Sequence, residues 1–435
     1  MSRERTRQAR SRRTWRGVAG VAAGVVLVGG GFVAANAATT TGAAKKAGVH
    51  FPVDKKATGV AAVVSAANTF LNTLDSDQQA ATVLDFSQAN ATSWSNLPCG
   101  SSCRPGIQTG SLSDDQLAAL KNVLKAALGT GKDTGYEHVL QTLLADDQLA
   151  AAESSGSGPS APSSSTSTDA SATASADPSE STSADPSATA SADPSASATD
   201  APTGAPPSGA PGGGAGGGYG SDIYFLAFLG TPSADGTWQL HFGGHHLAVN
   251  ITYKNGRVSG ASPFFTGVEP TSWTADDGTT YEPLANFRDG LLKLTSSLST
   301  EQLAKAKLSE SFSDVLLGPG EDGQFPETKE GIKASSLSPK QKKLVLEAIH
   351  PWIADVDNAT AAKLTKTYAR ELDQTFVSYS GGTGLDTQGD YVRIDGPSVW
   401  IEFVCQNGFV YQDKVHYHTV YRDHTRDYGS EFSFS

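Results

Sequence analysis

The sequence predicts an α+β fold: helical pairs packed on a mainly antiparallel sheet, in a single globular unit interrupted by a long disordered insertion. Three observations lead there. One helix-start signature recurs on both sides of a Ser/Ala/Pro/Gly-rich stretch, alternating apolar runs follow it in each half, and the stretch itself holds no large apolar side chain.

The elements follow in chain order. Residues 1–16 carry seven arginines and one glutamate, an uncharged Gly/Ala/Val run extends from Gly17 to Ala35, and Ala35-Asn36-Ala37 has the form a signal peptidase reads. Residues 1–37 are therefore read as a signal peptide and 38–57 as a tail, which makes the mature chain secreted or extracytoplasmic. Retention of the run as a membrane anchor is the alternative; once it is cleaved, no stable membrane span is expected. Arg12-Arg13 fits a twin-arginine signal.

Thr58 to Leu74 is an amphipathic helix, and 58–152 forms a helical first part. Leu112-Ser113-Asp114-Asp115-Gln116 is a capping box opening a helix that runs to about Leu128, with Gly129 placed to stop it. The same start recurs at Leu74-Asp75-Ser76-Asp77-Gln78, Leu298-Ser299-Thr300-Glu301-Gln302 and Leu337-Ser338-Pro339-Lys340-Gln341. Two starts on each side of the stretch suggest matched helical pairs; the plainer alternative is that good helix starts resemble one another. Residues 153–218, in which Ser-Ala-Asp-Pro-Ser recurs at 175, 183 and 191, cannot bury enough surface to offset chain entropy and are read as disordered. Residues 219–430 complete the same domain. Within them Ile223–Leu229, Thr237–Phe242, Leu247–Tyr253, Tyr391–Ile394, Ser398–Gln406 and Lys414–Tyr421 read as strands.

Composition narrows the partners. Without residues 1–37 the formal net charge moves from -12 to -18, and no lysine or arginine occurs between Lys132 and Lys254. Nucleic-acid binding needs clustered basic side chains, so it is excluded, whereas a divalent cation meets a favourable field. Cys99 and Cys103, four apart, are expected to close a small disulfide loop in an oxidising exterior, the alternative being a thiolate metal site. Cys405 lies among Val399, Ile401 and Phe403 at alternate positions and reads as a buried structural thiol. The one methionine is Met1, so no thioether is left for a blue-copper axial ligand.

Six of the nine histidines fall in two windows, His241/His245/His246 and His416/His418/His424. Side chains two apart on a strand share a face, so His416 and His418 can converge on one ion. A connection turning near Val410 sets Glu402 opposite His418, with Glu402, Gln406, His416, His418 and Arg422 on one face and Val399, Ile401, Phe403, Cys405, Val415, Tyr417 and Tyr421 on the other. Gly243-Gly244 signals a bulge or a close backbone approach. Adjacent histidines on an extended strand point opposite ways, so only one of His245 and His246 is a ligand unless the bulge turns both inward. Three imidazoles with an open position, or two with a carboxylate, describe catalytic zinc, non-haem iron or a type-two copper site; without metal, the same residues form a hydrogen-bonded cluster. Asp423 or Asp427 would orient a histidine, or else the Arg422-Asp423 pair pins the chain after its last strand.

Trp238 to Asn250, Ser262-Pro263-Phe264-Phe265-Thr266-Gly267 and the tail His416-x-His418-x-x-x-Arg422-Asp423-x-x-x-Asp427-Tyr428-Gly429 together resemble a secreted bacterial family catalogued as domain of unknown function 3500, over about residues 58–430. The resemblance implies one folded unit and brings no activity with it. It matches Gly244, His245, His246, Glu402, His416, His418, Arg422, Asp423 and Asp427 and leaves His241 and His424 outside the pattern.

The resulting expectation is an exported protein holding one zinc or copper ion through His416, His418 and one or both of His245 and His246. Glu402, Arg422 and Asp423 are the catalytic candidates, and metal-dependent hydrolysis of a small-molecule or cell-envelope substrate is the first choice of activity. The competing expectation is a non-catalytic binding protein of the envelope in which the histidines are structural.

Overall fold

The computed structural model describes residues 48–155 and 218–434, all within one compact unit. The expected signal peptide and nearly all of the expected disordered segment lie outside the described residues; Glu153 and Ser154, at its start, still belong to a helix.

The elements fall into two halves of similar plan, which the gap in the described residues does not separate. The first runs α1 (Val60–Leu71), α2 (Ser76–Thr82), β1 (Val83–Leu84), a short α3 (Gln88–Ala91), β2 (Ile107–Gln108), α4 (Asp114–Ala127) and α5 (Tyr136–Ser154), then β3 (Phe225–Leu229), β4 (Thr237–Gly244), β5 (Leu247–Lys254), β6 (Arg257–Gly260) and β7 (Phe264–Val268). A small hairpin, β8 (Trp273–Thr274) with β9 (Thr280–Tyr281), separates the halves. The second runs α6 (Ala285–Ser296), α7 (Thr300–Ala306), β10 (Ile332–Lys333), α8 (Pro339–Ala354), α9 (Asn358–Glu371), β11 (Phe376–Ser380), β12 (Tyr391–Asp395), β13 (Val399–Asn407) and β14 (Val415–Asp423).

All four capping boxes form, at Asp75/Gln78, Ser113/Gln116, Ser299/Gln302 and Ser338/Gln341. Within each half the two capping glutamines also bond to each other. Gln116 Nε2 donates to Gln78 Oε1 at 2.9 Å, and Gln341 Nε2 to Gln302 Oε1 at 2.7 Å. The helices are thus matched pairs, with one amide of each box linking it to the other.

Twelve strands form one sheet, ten of them along the path β1-β3-β4-β5-β7-β14-β13-β12-β11-β10 with β2 added on β3 and β6 on β5, antiparallel throughout except for β1 with β3. β7 and β14 pair at its middle, so the two halves meet there. The sheet is therefore mainly antiparallel and the fold α+β, as expected. β7, β11 and the short strands β1, β2, β6, β8, β9 and β10 are additional strands that the sequence reading passed over.

Strand parity sorts the faces as expected. Val399, Ile401, Phe403, Cys405, Tyr417 and Tyr421 join the helices in the main core, whereas Val404 and Val420 join Trp94, Phe265, Leu308, Phe312, Val315 and Tyr391 in a second cluster. One face thus packs on helices, and the other lies under the loops that carry Trp94 and residues 308–315. Cys99 and Cys103 are disulfide-bonded, with Cα atoms 6.0 Å apart. Cys405 is free and buried, and burial pushes its thiol well above the ordinary range. No helix among the described residues is long and apolar enough to cross a membrane.

Candidate metal centre

The first histidine window is a hairpin turn, not a bulge. Gly244 pairs with Leu247, so His245 and His246 are the two turn residues between β4 and β5. Histidine 246 sits at φ 62°, a left-handed conformation that histidine adopts more readily than most side chains. The close backbone approach expected at the glycines is present: a Cβ on Gly244 would stand 2.5 Å from the Tyr224 ring, and one on Gly243 2.5 Å from the Leu247 carbonyl oxygen. Tyr224 also donates its hydroxyl to the His245 carbonyl, which fixes the turn from below. In the turn the alternation of an extended strand no longer applies, and the two rings stack with centroids 3.6 Å apart.

The second window is a strand, and β7 brings it to the first. Leu247 pairs with Thr266 on one side of β7, while His418 pairs with Gly267 on the other. Gly267 donates its N–H to the His246 carbonyl at 2.7 Å. A Cβ on Gly267 would stand 2.6 Å from Cδ2 of His246 and 2.8 Å from Cδ2 of His418. Only glycine leaves room there for both imidazoles.

Two overlapping groups result, His246/His416/His418 and Asp146/His245/His246, each able to offer ligand atoms within 4.8 Å of one another. In the first, His416 Nε2 and His418 Nε2 are 3.2 Å apart. Two imidazoles bound to one tetrahedral zinc at about 2.05 Å hold their nitrogens about 3.3 Å apart. The tautomers follow from the acceptors. His416 Nδ1 meets the Asn407 carbonyl at 2.7 Å, and His418 Nδ1 meets Asp314 Oδ1 at 2.8 Å. Each Nδ1 therefore carries the proton, and both Nε2 atoms present lone pairs.

Burial keeps the His416 and His246 rings neutral. Burial, reinforced by the His418 ring, holds His416 down to about 3, and burial with the neighbouring imidazoles holds His246 well below its ordinary value. Asp314 is half-exposed, so one edge of the group reaches the surface. Burial acts to raise its carboxyl, but His418 and the Val315 N–H outweigh this and leave it below the ordinary carboxylate value. In the second group, His245 Nδ1 lies 2.5 Å from Asp146 Oδ1, and Tyr219 packs on the ring. The His245 and His246 rings lie face to face at 3.6 Å, closer than His246 to His416 at 5.6 Å.

The expected carboxylates are elsewhere. The β13–β14 connection turns about Tyr411, two residues out of the expected register: Glu402 pairs with Val420 and His418 with Val404. The Glu402 carboxylate is fully buried and accepts from Leu316 N, Leu317 N, Trp400 Nε1 and Tyr391 Oη. Arg422 shares that face, donating to the carbonyls of Leu317 and Gly318 and to Asp322 and Asp427. Asp423 faces the helices, where it accepts from Tyr368 Oη at 3.0 Å and Arg426 Nη1 at 2.6 Å. Neither Asp423 nor Asp427 orients a histidine. Asp314 and Asp146 do, from 104 and 99 residues away in sequence. His241 and His424 lie outside both groups; His424 Nε2 meets Asp395 at 3.0 Å.

The histidines are 5–6% exposed. One cavity of about 10 Å³ is lined by Trp94, Arg104, His241, Gly243 and Leu247, and a cleft of about 400 Å³ by Gly48–His50, Gln79 and Gln116. A family described as protein of unknown function (DUF3500) matches residues 56–430. Neither the curated proteins nor the solved structures include a match to the chain.

Proposed function

The chain belongs to DUF3500, a family of proteins of unknown function, and we propose that it is an exported protein that binds one divalent transition-metal ion, zinc or copper, through His246, His416 and His418. The carrying observation is the pair of Nε2 atoms 3.2 Å apart, each on a ring whose Nδ1 proton is already committed to an acceptor. Lone pairs facing each other at that distance repel unless a cation lies between them. A shared proton would make one ring cationic, which burial opposes for His416. A metal ion satisfies both nitrogens, and His246 completes a three-imidazole set on a rigid base of turn and strand. Such an ion keeps a fourth position, at which it can polarise a carbonyl or acidify a water, and this supports the hydrolytic reading.

Enclosure favours a second reading, a non-catalytic binding protein. His246, His416 and His418 are only 5–6% exposed, whereas a catalytic metal needs substrate access. Glu402 and Asp423, buried and occupied by other partners, are assigned to structure under either reading.

Metal analysis of natively purified protein decides the metal-binding claim. One ion per chain is expected, lost in His416→Ala with His418→Ala and kept in His424→Ala. Less than about 0.2 ion per chain, with no thermal shift on adding zinc or copper, would refute it, because an ion that binds the folded state must stabilise it. Turnover of ester or phosphoester substrates that disappears on chelation and returns with zinc would favour hydrolysis over binding alone.

A further inference from the structure

Glu402 and Arg422 are among the most deeply buried charges in the chain, and both spend themselves on one short piece of backbone. Glu402 takes the N–H groups of Leu316 and Leu317, and Arg422 donates to the carbonyls of Leu317 and Gly318. The two side chains thus hold residues 316–318 by both polar edges. Arg422 is itself anchored by Asp322 and Asp427, and its guanidinium lies 5.5 Å from the Trp94 ring centre. Burying two charges to fix a loop is expensive when apolar packing would hold it equally well. Two residues before the clamped peptide stands Asp314, whose carboxylate holds the proton of His418 on Nδ1.

We propose that Glu402 and Arg422 are positioning residues of the metal centre: by clamping residues 316–318 they place Asp314 on His418, which fixes the tautomer and aim of that imidazole. The proposal rests on the metal-binding reading, which it deepens by assigning how one ligand is set. The clamp acts through the backbone that leads to Asp314. Glu402→Gln keeps the shape of the side chain but turns one acceptor into a donor facing backbone N–H groups, which loosens the loop without touching a ligand. Arg422→Lys keeps the charge and loses the fork that reaches two carbonyls.

The test measures zinc affinity by competition with a chromogenic chelator, together with the ¹⁵N shifts of His418 in the metal-free protein. Asp314→Asn and Glu402→Gln are each expected to weaken zinc binding about 10–100-fold, and the double variant to be no weaker than the poorer single one, because both act through one contact. The ¹⁵N shifts should move from a pure Nδ1–H tautomer towards a mixture in each variant. Wild-type affinity in a folded Glu402→Gln protein, or losses that multiply in the double variant, would overturn the proposal; so would an unchanged tautomer. If Glu402→Gln does not fold, Tyr391→Phe carries the same test. It removes one donor to Glu402 and keeps the ring stacked on Phe312, and a tautomer shift of the same sign is expected, with none counting against the proposal. Failure of the underlying reading is separately visible, since wild-type protein would then bind no zinc while the tautomer readout still reports on the clamp.

Discussion

At the scale of the residue, the site depends on a glycine as much as on its histidines. The Cβ of Gly267→Ala would overlap both His246, stacked on His245, and His418, bonded to Asp314. The substitution is expected to cost about 1–3 kcal/mol of stability and to abolish metal binding; a variant that binds zinc like wild type would show that the rings do not converge across Gly267. Histidine 241 gives an independent prediction outside the metal group. Burial lowers its pKa from 6.5 to about 4, partly offset by its hydrogen bond with Asn250. The folded protein therefore resists protonating a ring that the unfolded chain protonates freely. The stability this preserves is complete above pH 6.5 and is lost as the pH falls from there towards 4, with a slope of up to about 1.4 kcal/mol per pH unit. In chelator-treated protein, His241→Gln should flatten the fall of unfolding free energy across that window. Parallel curves for variant and wild type would contradict the assignment.

The residue scale also shows what a sequence reveals about a site. His416 and His418 are legible because strand alternation places both on one face, and local crowding picks out His245 and His246. Their carboxylate partners are not legible: Asp146 lies in a helix and Asp314 in a loop about a hundred residues away, and no spacing rule connects them to the rings. Glu402 was the natural candidate because it shares a face with the histidines. It does share that face, yet a loop descends on it and takes its oxygens.

At the scale of the element, helix starts were the most legible feature, because a capping box is a local hydrogen-bond pattern written in five residues. The interlocking of the boxes was foreshadowed only by their number. Gln341 donates to the Ser297 carbonyl at 2.7 Å as well as to Gln302, and lies buried. Gln341→Ala should therefore cost about 1–3 kcal/mol, more than loss of an exposed cap, and leave the metal content unchanged. A thermal midpoint equal to wild type would mean the cross-helix amides are ornamental, and loss of metal would mean the halves are coupled through the helices. The strands were harder. β7 is a five-residue run between a proline and loop residues, with Gly267 inside it, and glycine lowers strand propensity at the place where the site requires it. The turn at His245-His246 lacks the glycine or asparagine that usually announces a left-handed residue, so it read as a bulge or close approach between two strands.

At the scale of the whole molecule, two halves of similar plan join edge to edge at β7 and β14, and the histidine group sits on that seam. His246 comes from the first half, His416 and His418 from the second. A ligand set divided in this way makes metal binding a property of the joined sheet. Zinc should accordingly raise the midpoint of global unfolding, and in wild type it should do so in a single cooperative transition. A shift confined to part of a two-step transition would show that the ion belongs to one half alone.

The central claim is most directly tested by an anomalous-difference map, recorded at the zinc edge, from crystals of protein purified natively or with added zinc. The account predicts one peak on the seam, about 2.0–2.1 Å from nitrogens of His246, His416 and His418. A map with no peak there, or with its peak on Asp146 and His245 instead, would contradict it.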